Sequence, residues 1–151
     1  MAAVIYRNDP AYDEAYLAGA SVAFGVFDGV HEGHRFIIGE AANTAREEDE
    51  RSAVITFDID PDEMFAADKL KKLMTNEARI AKLAELDVDA VVVLPFSREF
   101  AAQAPADFLE VCFGGGVPRH IHIGSDFRFG NRAAGNVEDL RAWGAERGME
   151  V

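Results

Sequence analysis

Four short segments along the chain have the length and composition of buried strands. They are residues 21–27, 52–57, 90–94 and 118–123. The first three are nearly continuous apolar runs, which are typical of strands covered on both faces. In the fourth, two histidines alternate with two isoleucines, so both imidazoles are expected on one face of the strand.

Apolar residues with helical spacing separate these strands. The apolar positions of the first helix, which is expected to end near residue 49, are Phe36, Ile37, Ala41 and Ala45. Thr75 and Asn136 stand where N-cap residues are expected before two later helices, the second covering residues 137–147. A strand, helix, strand order implies right-handed crossovers between parallel strands. The pattern therefore predicts an α/β domain with a doubly wound parallel sheet.

The two ends of the chain are less strongly patterned. Residues 1–20 form a weakly patterned lead-in with a short helix expected over residues 11–17, and the domain itself is expected over residues 21–151. Residues 149–151 follow the last predicted helix and are expected to open a further strand.

Composition narrows the class of protein. The chain has 151 residues, of which 49% are hydrophobic and 28% charged, and no apolar run approaches the length of a membrane span. A formal net charge of −12 argues against a nucleic-acid partner. The single cysteine, Cys112, excludes an internal disulfide and suggests a reducing, cytoplasmic location. An anionic ligand would need local positive charge, for which the candidates are Arg35, residues 69–72, Arg128 and Arg132.

The junction between the first predicted strand and helix has the features of an anion site. Gly29 and Gly33 allow close approach of a phosphate, and the first N–H groups of a helix are free to bind it. His31 and His34 are three residues apart, so both could donate hydrogen bonds to the same group. The alternative is a surface turn with two incidental histidines, which the coincidence of turn, glycines and histidines disfavours.

The segment from Gly25 to His34, Gly-Val-Phe-Asp-Gly-Val-His-Glu-Gly-His, resembles the His-x-Gly-His signature of the nucleotidylyltransferase superfamily. The longer string is similar to that of the prokaryotic FAD synthetases, whose FMN adenylyltransferase module is usually followed by a riboflavin kinase module. The resemblance implies a Rossmann-like fold and transfer of AMP from ATP, with Mg²⁺, to FMN to give FAD and pyrophosphate. It also implies catalytic roles for His31 and His34 and nucleotide contacts by Gly25, Phe27, Asp28 and Gly33.

Further segments carry the same resemblance. Residues 124–135 resemble the family's Gly-x-Asp/Asn-Phe-x-Phe-Gly-x-x-x-x-Gly loop, which implies nucleotide contacts by Asp126, Arg128 and Gly130. Residues 56–65 and 95–101 are similar to segments on the flavin side of the family's sheet. The candidate flavin contacts are Phe57, Pro61 and Phe96.

The match to the flavin-side loop has a departure: Ile59 and Asp60 stand where a proline and a histidine are common. Asp58, Asp60 and Asp62 alternate there, but they lack the spacing of a calcium loop, so an acidic exposed loop is the favoured interpretation. A dedicated protein metal site is not predicted.

The family's second signature, Ser-Ser/Thr-x-x-Arg, has no counterpart, because no serine or threonine follows Ser125. A riboflavin kinase segment is not seen either, so the domain is expected to be truncated at its C-terminus. Two alternatives therefore stay open: an adenylyl- or cytidylyltransferase for another phosphorylated substrate, or a nucleotide- or flavin-binding module without turnover. An open sheet edge near residue 151 could also promote self-association.

Overall fold

A computed structural model describes residues 2–13, 15–27, 32–58, 75–113, 115–124 and 127–151. The strands are Ala3–Tyr6 (β1), Ser21–Phe24 (β2), Ser52–Phe57 (β3), Ala90–Leu94 (β4) and His120–His122 (β5). The helices are Glu32–Glu48 (α1), Asn76–Ala84 (α2), Arg98–Ala101 (α3), Pro105–Phe113 (α4) and Val137–Ala145 (α5), with a 3₁₀ turn at Asn131–Ala133.

The strands form one parallel sheet in the order β1-β4-β3-β2-β5. Val22 of β2 stands in register with Ala53 on one side and with Ile121 on the other. From β2 the chain moves through β3 to β4 in one direction and then returns to place β5 on the opposite side of β2. The predicted doubly wound parallel α/β fold is confirmed, and its strand order reverses between β2 and β5.

Side chains of alternating strand positions build a core on each face of the sheet. One core joins Phe24, Ile55 and Leu94 to the apolar faces of α4 and α5. The other joins Ala23 and Val54 to the apolar faces of α1 and α2. Both faces are thus covered by helices, which explains why the central strands read as continuous apolar runs.

The first 20 residues differ from the expected lead-in. Ala3–Tyr6 is an edge strand of the sheet, paired in parallel with β4. Leu17 and Ala20 are buried, and turns rather than a helix occupy the described part of residues 11–17, as in the hydrogen bond from the Tyr16 N–H to the Asp13 carbonyl (2.9 Å). The predicted helix is wrong, because turns there bring Leu17 onto the core.

The predicted helix caps are confirmed, whereas the buried face of α1 differs from the predicted one. The Thr75 hydroxyl accepts from the Ala78 N–H (3.0 Å), and Asn136 forms a reciprocal capping box with Asp139. The buried stripe of α1 consists of Ile38, Ala41, Ala42 and Ala45. Phe36, expected on that stripe, is 69% exposed, since the stripe follows the i, i+3, i+4, i+7 positions counted from residue 38.

The expected further strand begins at the C-terminal end of the chain. Glu150 forms a parallel bridge with His120 on the outer edge of β5. The His120 imidazole also lies between two carboxylates, 2.8 Å from Glu50 Oε1 and 3.2 Å from Glu150 Oε2. These contacts tie the end of α1, the start of β5 and the chain end together. None of the helices among the described residues is long and apolar enough to cross a membrane.

Candidate functional site

The candidate site lies where the strand order reverses. In open parallel sheets, ligands bind in the crevice at the carboxyl ends of the two strands that flank the reversal. Here those strands are β2 and β5. The segment after β2 leads to the predicted anion-binding junction, and the segment after β5 leads to the predicted glycine-rich loop. The topology therefore brings the two motifs found in the sequence to one edge of the sheet.

The exit of β2 makes a tight, strained turn. Phe27 has a φ of 58°, in the left-handed region that costs a non-glycine residue about 1–3 kcal/mol. Its buried ring folds back over Gly25, where an added Cβ would lie 3.1 Å from Phe27 Cζ. The ring also meets the His34 imidazole edge-on at 5.3 Å between centroids. Gly25 thus makes room for the Phe27 ring, which supports His34.

Helix α1 presents the candidate phosphate-binding groups. It begins at Glu32, so Gly33 and His34 lie in its first turn. Gly33 is exposed and His34 is partly buried. N–H groups of a first helical turn carry no intrahelical bond and lie at the positive end of the helix dipole. This turn can therefore bind an anion next to the His34 ring.

Behind the junction, a buried arginine joins two strand ends. Arg79 of α2 is 1% exposed and donates to Val26 O at 2.8 Å and to Phe57 O at 2.7 Å. It also donates to Thr56 Oγ1 at 2.6 Å, while the Thr56 hydroxyl donates to Val26 O at 3.1 Å. The guanidinium thus holds the ends of β2 and β3 in one hydrogen-bond network.

The end of β3 leads into an aromatic cluster. The ring of Phe57 lies 5.1 Å from that of Phe96, 6.1 Å from Phe100 and 6.3 Å from Phe108. Phe57 and Phe108 are buried, whereas Phe96 and Phe100 are partly exposed. Phe57 and Phe108 therefore belong to the core, whereas Phe96 leaves part of its ring accessible beside the site.

The loop after β5 is fixed by its own backbone. Phe129 and Gly135 exchange two backbone hydrogen bonds of 3.2 and 2.8 Å. Gly130 has a φ of 79° and packs against the Pro105 backbone, which lies 3.1 Å from an added Cβ. The Arg128 side chain is exposed. The two glycines shape this loop, and Arg128 is available to an anionic ligand.

Several candidate residues lie outside the described part of the chain. They are Asp28, Gly29, His31, Asp60, Pro61, residues 69–72 and Asp126. Of the two candidate catalytic histidines, His34 lies within the described residues. Within the described ranges, no group of three or more His, Cys, Asp or Glu residues could hold a metal ion.

A groove flanks the site on the outer side of β5. It has a volume of about 450 Å³ and is lined by Phe36, Ile37, Glu40, residues 121–124, Val137, Glu138, Arg141 and Val151. Burial, followed by the charge of His120, lowers the pKa of His122, and Glu40 opposes this shift. Among the described residues, the buried Nε2 of His122 has no hydrogen-bond partner. His122 thus favours its neutral form.

Two of these features, the buried Arg79 and the left-handed turn at Phe27, were not predicted from the sequence. Arg79 is not among the candidate residues singled out from the sequence, although it is buried. Its position one residue before Ile80 and four before Leu83 places it on the apolar face of α2, which is the available signal. The left-handed turn at Phe27 has no signal, because phenylalanine is not a turn-forming residue.

Several known proteins are similar to this chain in sequence. The bifunctional riboflavin kinase/FMN adenylyltransferase of Listeria monocytogenes is 31% identical over 139 residues, which cover 90% of this chain and 44% of that protein. The corresponding Escherichia coli K12 protein is 32% identical, with 88% and 43% covered. A putative protein of the same description from Geobacillus thermodenitrificans is 33% identical, with 83% and 68% covered. The chain thus spans less than half the length of the first two relatives.

A solved structure shares the fold over the whole chain. It is described as a macrolide-efflux protein from Streptococcus pneumoniae and matches with a TM-score of 0.75 and 24% identity, covering 100% of this chain and 58% of that one. The family model described as FAD synthetase matches residues 13–151. The chain therefore belongs to the FAD synthetase family.

Proposed function

We propose that this chain transfers the adenylyl group of ATP to the phosphate of FMN, giving FAD and pyrophosphate. Family membership supports this reaction. The observation that carries it is the meeting of two elements at the strand reversal. The first turn of α1 bears His34 beside the exit of β2, and the glycine-shaped loop follows β5. Such a crevice suits a nucleotide whose phosphates lie at a helix N-terminus.

In the proposed reaction an oxygen of the FMN phosphate attacks the α-phosphorus of ATP. The bond between that phosphorus and the α,β-bridging oxygen breaks, and pyrophosphate leaves with the bonding electrons. The chain needs to hold the two reactants in line and to stabilise negative charge on the phosphate oxygens. His31, His34 and N–H groups in the first turn of α1 would donate to those oxygens. Mg²⁺ would enter bound to the ATP phosphates and neutralise part of their charge.

The remaining candidates divide between the two substrates. Gly25, Phe27, Asp28 and Gly33 would shape the nucleotide side after β2. From the opposite loop, the proposed nucleotide contacts are Asp126, Arg128 and Gly130, and the exposure of Arg128 supports its part. Phe57, Pro61 and Phe96 would lie on the flavin side. The aromatic cluster around Phe57 supports this assignment, because an isoalloxazine ring packs well against partly exposed aromatic side chains.

The direct test measures FAD formed from FMN and Mg·ATP by chromatography, with His34→Ala and His31→Ala as variants. Each variant is expected to lose at least about a hundredfold in rate, because one well-placed donor to a developing charge has that weight. The matched control is His120→Ala, since His120 lies at the amino end of β5 between two carboxylates. Near-normal turnover in both His31 and His34 variants would remove these residues from the mechanism.

Two other functions can be distinguished from FAD formation by experiment. Another phosphorylated acceptor, such as phosphopantetheine or a nicotinate nucleotide, would replace FMN if the aromatic cluster does not bind flavin. Supplying each acceptor with ATP and measuring pyrophosphate distinguishes these substrates. Binding of ATP and FMN without any pyrophosphate release would instead identify a binding module without turnover.

We further propose a cytoplasmic location and self-association through a sheet edge. The buried thiol of Cys112 supports a reducing compartment. At the two ends of the sheet, β1 exposes Val4 (39%) and Tyr6 (47%), and β5 is bridged by Glu150. Cell fractionation tests the location. Sedimentation velocity over a wide concentration range tests association, and a monomer at every concentration would contradict it.

A further inference from the structure

Arg79 is the largest of the fully buried side chains in the described part of the protein. Burying a guanidinium is costly unless its N–H groups are well satisfied. Nη1 donates to Val26 O and Thr56 Oγ1, and Nη2 donates to Phe57 O and, at 3.3 Å, to Asn76 Oδ1. Because burying this guanidinium costs free energy, Arg79 is expected to stabilise a part of the chain that the fold or the site requires.

Its acceptors lie at the exits of the two strands that lead into the proposed site. Val26 is the last residue before the strained turn at Phe27, and Phe57 ends β3 within the aromatic cluster. The Val26 carbonyl receives two bonds, one from Arg79 and one from the Thr56 hydroxyl. A left-handed turn at a phenylalanine persists only where its surroundings fix the neighbouring peptides. Arg79 and Thr56 fix the peptide that precedes it.

We infer that Arg79 is a positioning residue, which holds the β2 exit so that the first turn of α1 receives the triphosphate of the nucleotide. This inference rests on the proposed function. Arg79 acts through the Val26 carbonyl and the Phe27 turn, whose ring supports His34. A planar guanidinium suits this task because its rigid fork reaches two strands at once, which a lysine ammonium on a flexible stem does less well.

The test measures nucleotide affinity without turnover. The ligands are α,β-methylene-ATP with Mg²⁺, which cannot transfer its adenylyl group, and adenosine, which lacks the phosphates. Titration calorimetry is carried out on the 151-residue chain and on Arg79→Met. The variant is expected to bind α,β-methylene-ATP at least about tenfold more weakly, a loss of about 1.4 kcal/mol. Its affinity for adenosine should stay within about threefold, because only the phosphate contacts depend on the junction.

Two milder variants separate positioning from general loss of structure. Arg79→Lys keeps the charge, and Thr56→Val keeps Arg79 but removes one of the two donors to Val26 O. Each is expected to weaken α,β-methylene-ATP binding by about threefold and to leave adenosine binding unchanged. The matched control is Arg147→Met, because Arg147 donates to Trp143 O and pairs with Glu110 away from the site. It should lower stability without changing either affinity.

The outcomes decide between the two proposals. If the unaltered chain does not bind α,β-methylene-ATP, the proposed function fails and the inference fails with it. If it binds the analogue and a folded Arg79→Met binds it equally well, the inference alone is overturned. Should Arg79→Met not fold, unchanged analogue affinity in both milder variants overturns the inference. Equal losses for the analogue and adenosine would also overturn it, since they would indicate a merely structural role.

Discussion

The glycine-rich loop after β5 depends on close packing at Gly135, and replacing this glycine by alanine tests that packing. A Cβ built on Gly135 would lie 2.6 Å from Phe129 Cε2 and 2.7 Å from Phe129 Cζ. Such contacts are too short for any side chain to tolerate. The Phe129 ring would have to move, although it is only 4% exposed and packs on Phe108 at 5.7 Å and on Phe127 at 5.8 Å.

The expected cost can be worked out from this geometry. Overpacking of a core typically costs about 1–3 kcal/mol. Gly135 does not have a positive φ, so alanine can adopt its backbone, and the lower entropy of the unfolded chain would return about 0.4–1 kcal/mol. We therefore expect a net loss of about 1–2 kcal/mol in the free energy of unfolding. In urea, with an m-value of about 1–3 kcal/mol/M, this corresponds to a midpoint lower by about 0.3–2 M.

The chain offers a matched control for the same substitution. Gly39 lies inside α1, and no atom comes within 4 Å of a Cβ built there. Gly39→Ala should therefore raise the unfolding midpoint, since alanine is favoured over glycine in a helix by about 0.5–1 kcal/mol. Urea unfolding followed by the fluorescence of Trp143 measures both variants. Opposite signs are predicted, and an unchanged or raised midpoint for Gly135→Ala would refute the reasoning.

Three further outcomes are expected. Asp126→Ala should weaken binding of α,β-methylene-ATP more than binding of FMN, and calorimetry showing an unchanged nucleotide affinity would mean that the loop does not contact the nucleotide. Burial lowers the pKa of His122, so the folded chain binds fewer protons than the unfolded chain, and stability is lost as the pH falls through about 6.5. The urea midpoint of His122→Gln should therefore fall less steeply on acidification than that of the unaltered chain, and equal slopes would contradict this. Burial raises the pKa of the Cys112 thiol well above its usual value, so a thiol reagent should react with it only after unfolding, and rapid modification of the folded chain would contradict that.

The sequence predicted the central strands because their environment is uniform. Residues 52–57 and 90–94 are covered on both faces, so every position is apolar or small and the run is unmistakable. The strand Ala3–Tyr6 was not predicted, because this edge strand of four residues is largely exposed and lacks a continuous run of buried apolar residues. The face of α1 was misplaced at Phe36 because an apolar residue can stand exposed beside a groove.

Local motifs point to a candidate site but not to the residues that support it. The strand, turn and helix around Gly33 and His34 are consecutive in sequence, so a motif can be recognised without knowing the tertiary structure. Arg79 lies more than 40 residues further along, and its role arises only when α2 packs beneath the ends of β2 and β3. Charged side chains are rarely buried, so the position of Arg79 on the apolar face of α2 is only a weak signal of its burial.

The most direct test of the account is a crystal structure of the chain with α,β-methylene-ATP, Mg²⁺ and FMN. The account predicts triphosphate oxygens within about 3 Å of the His34 imidazole and of N–H groups in the first turn of α1. It also predicts the flavin ring beside Phe96 with its phosphate facing the α-phosphorus. A triphosphate bound elsewhere on the chain, away from the ends of β2 and β5, would contradict the central claim.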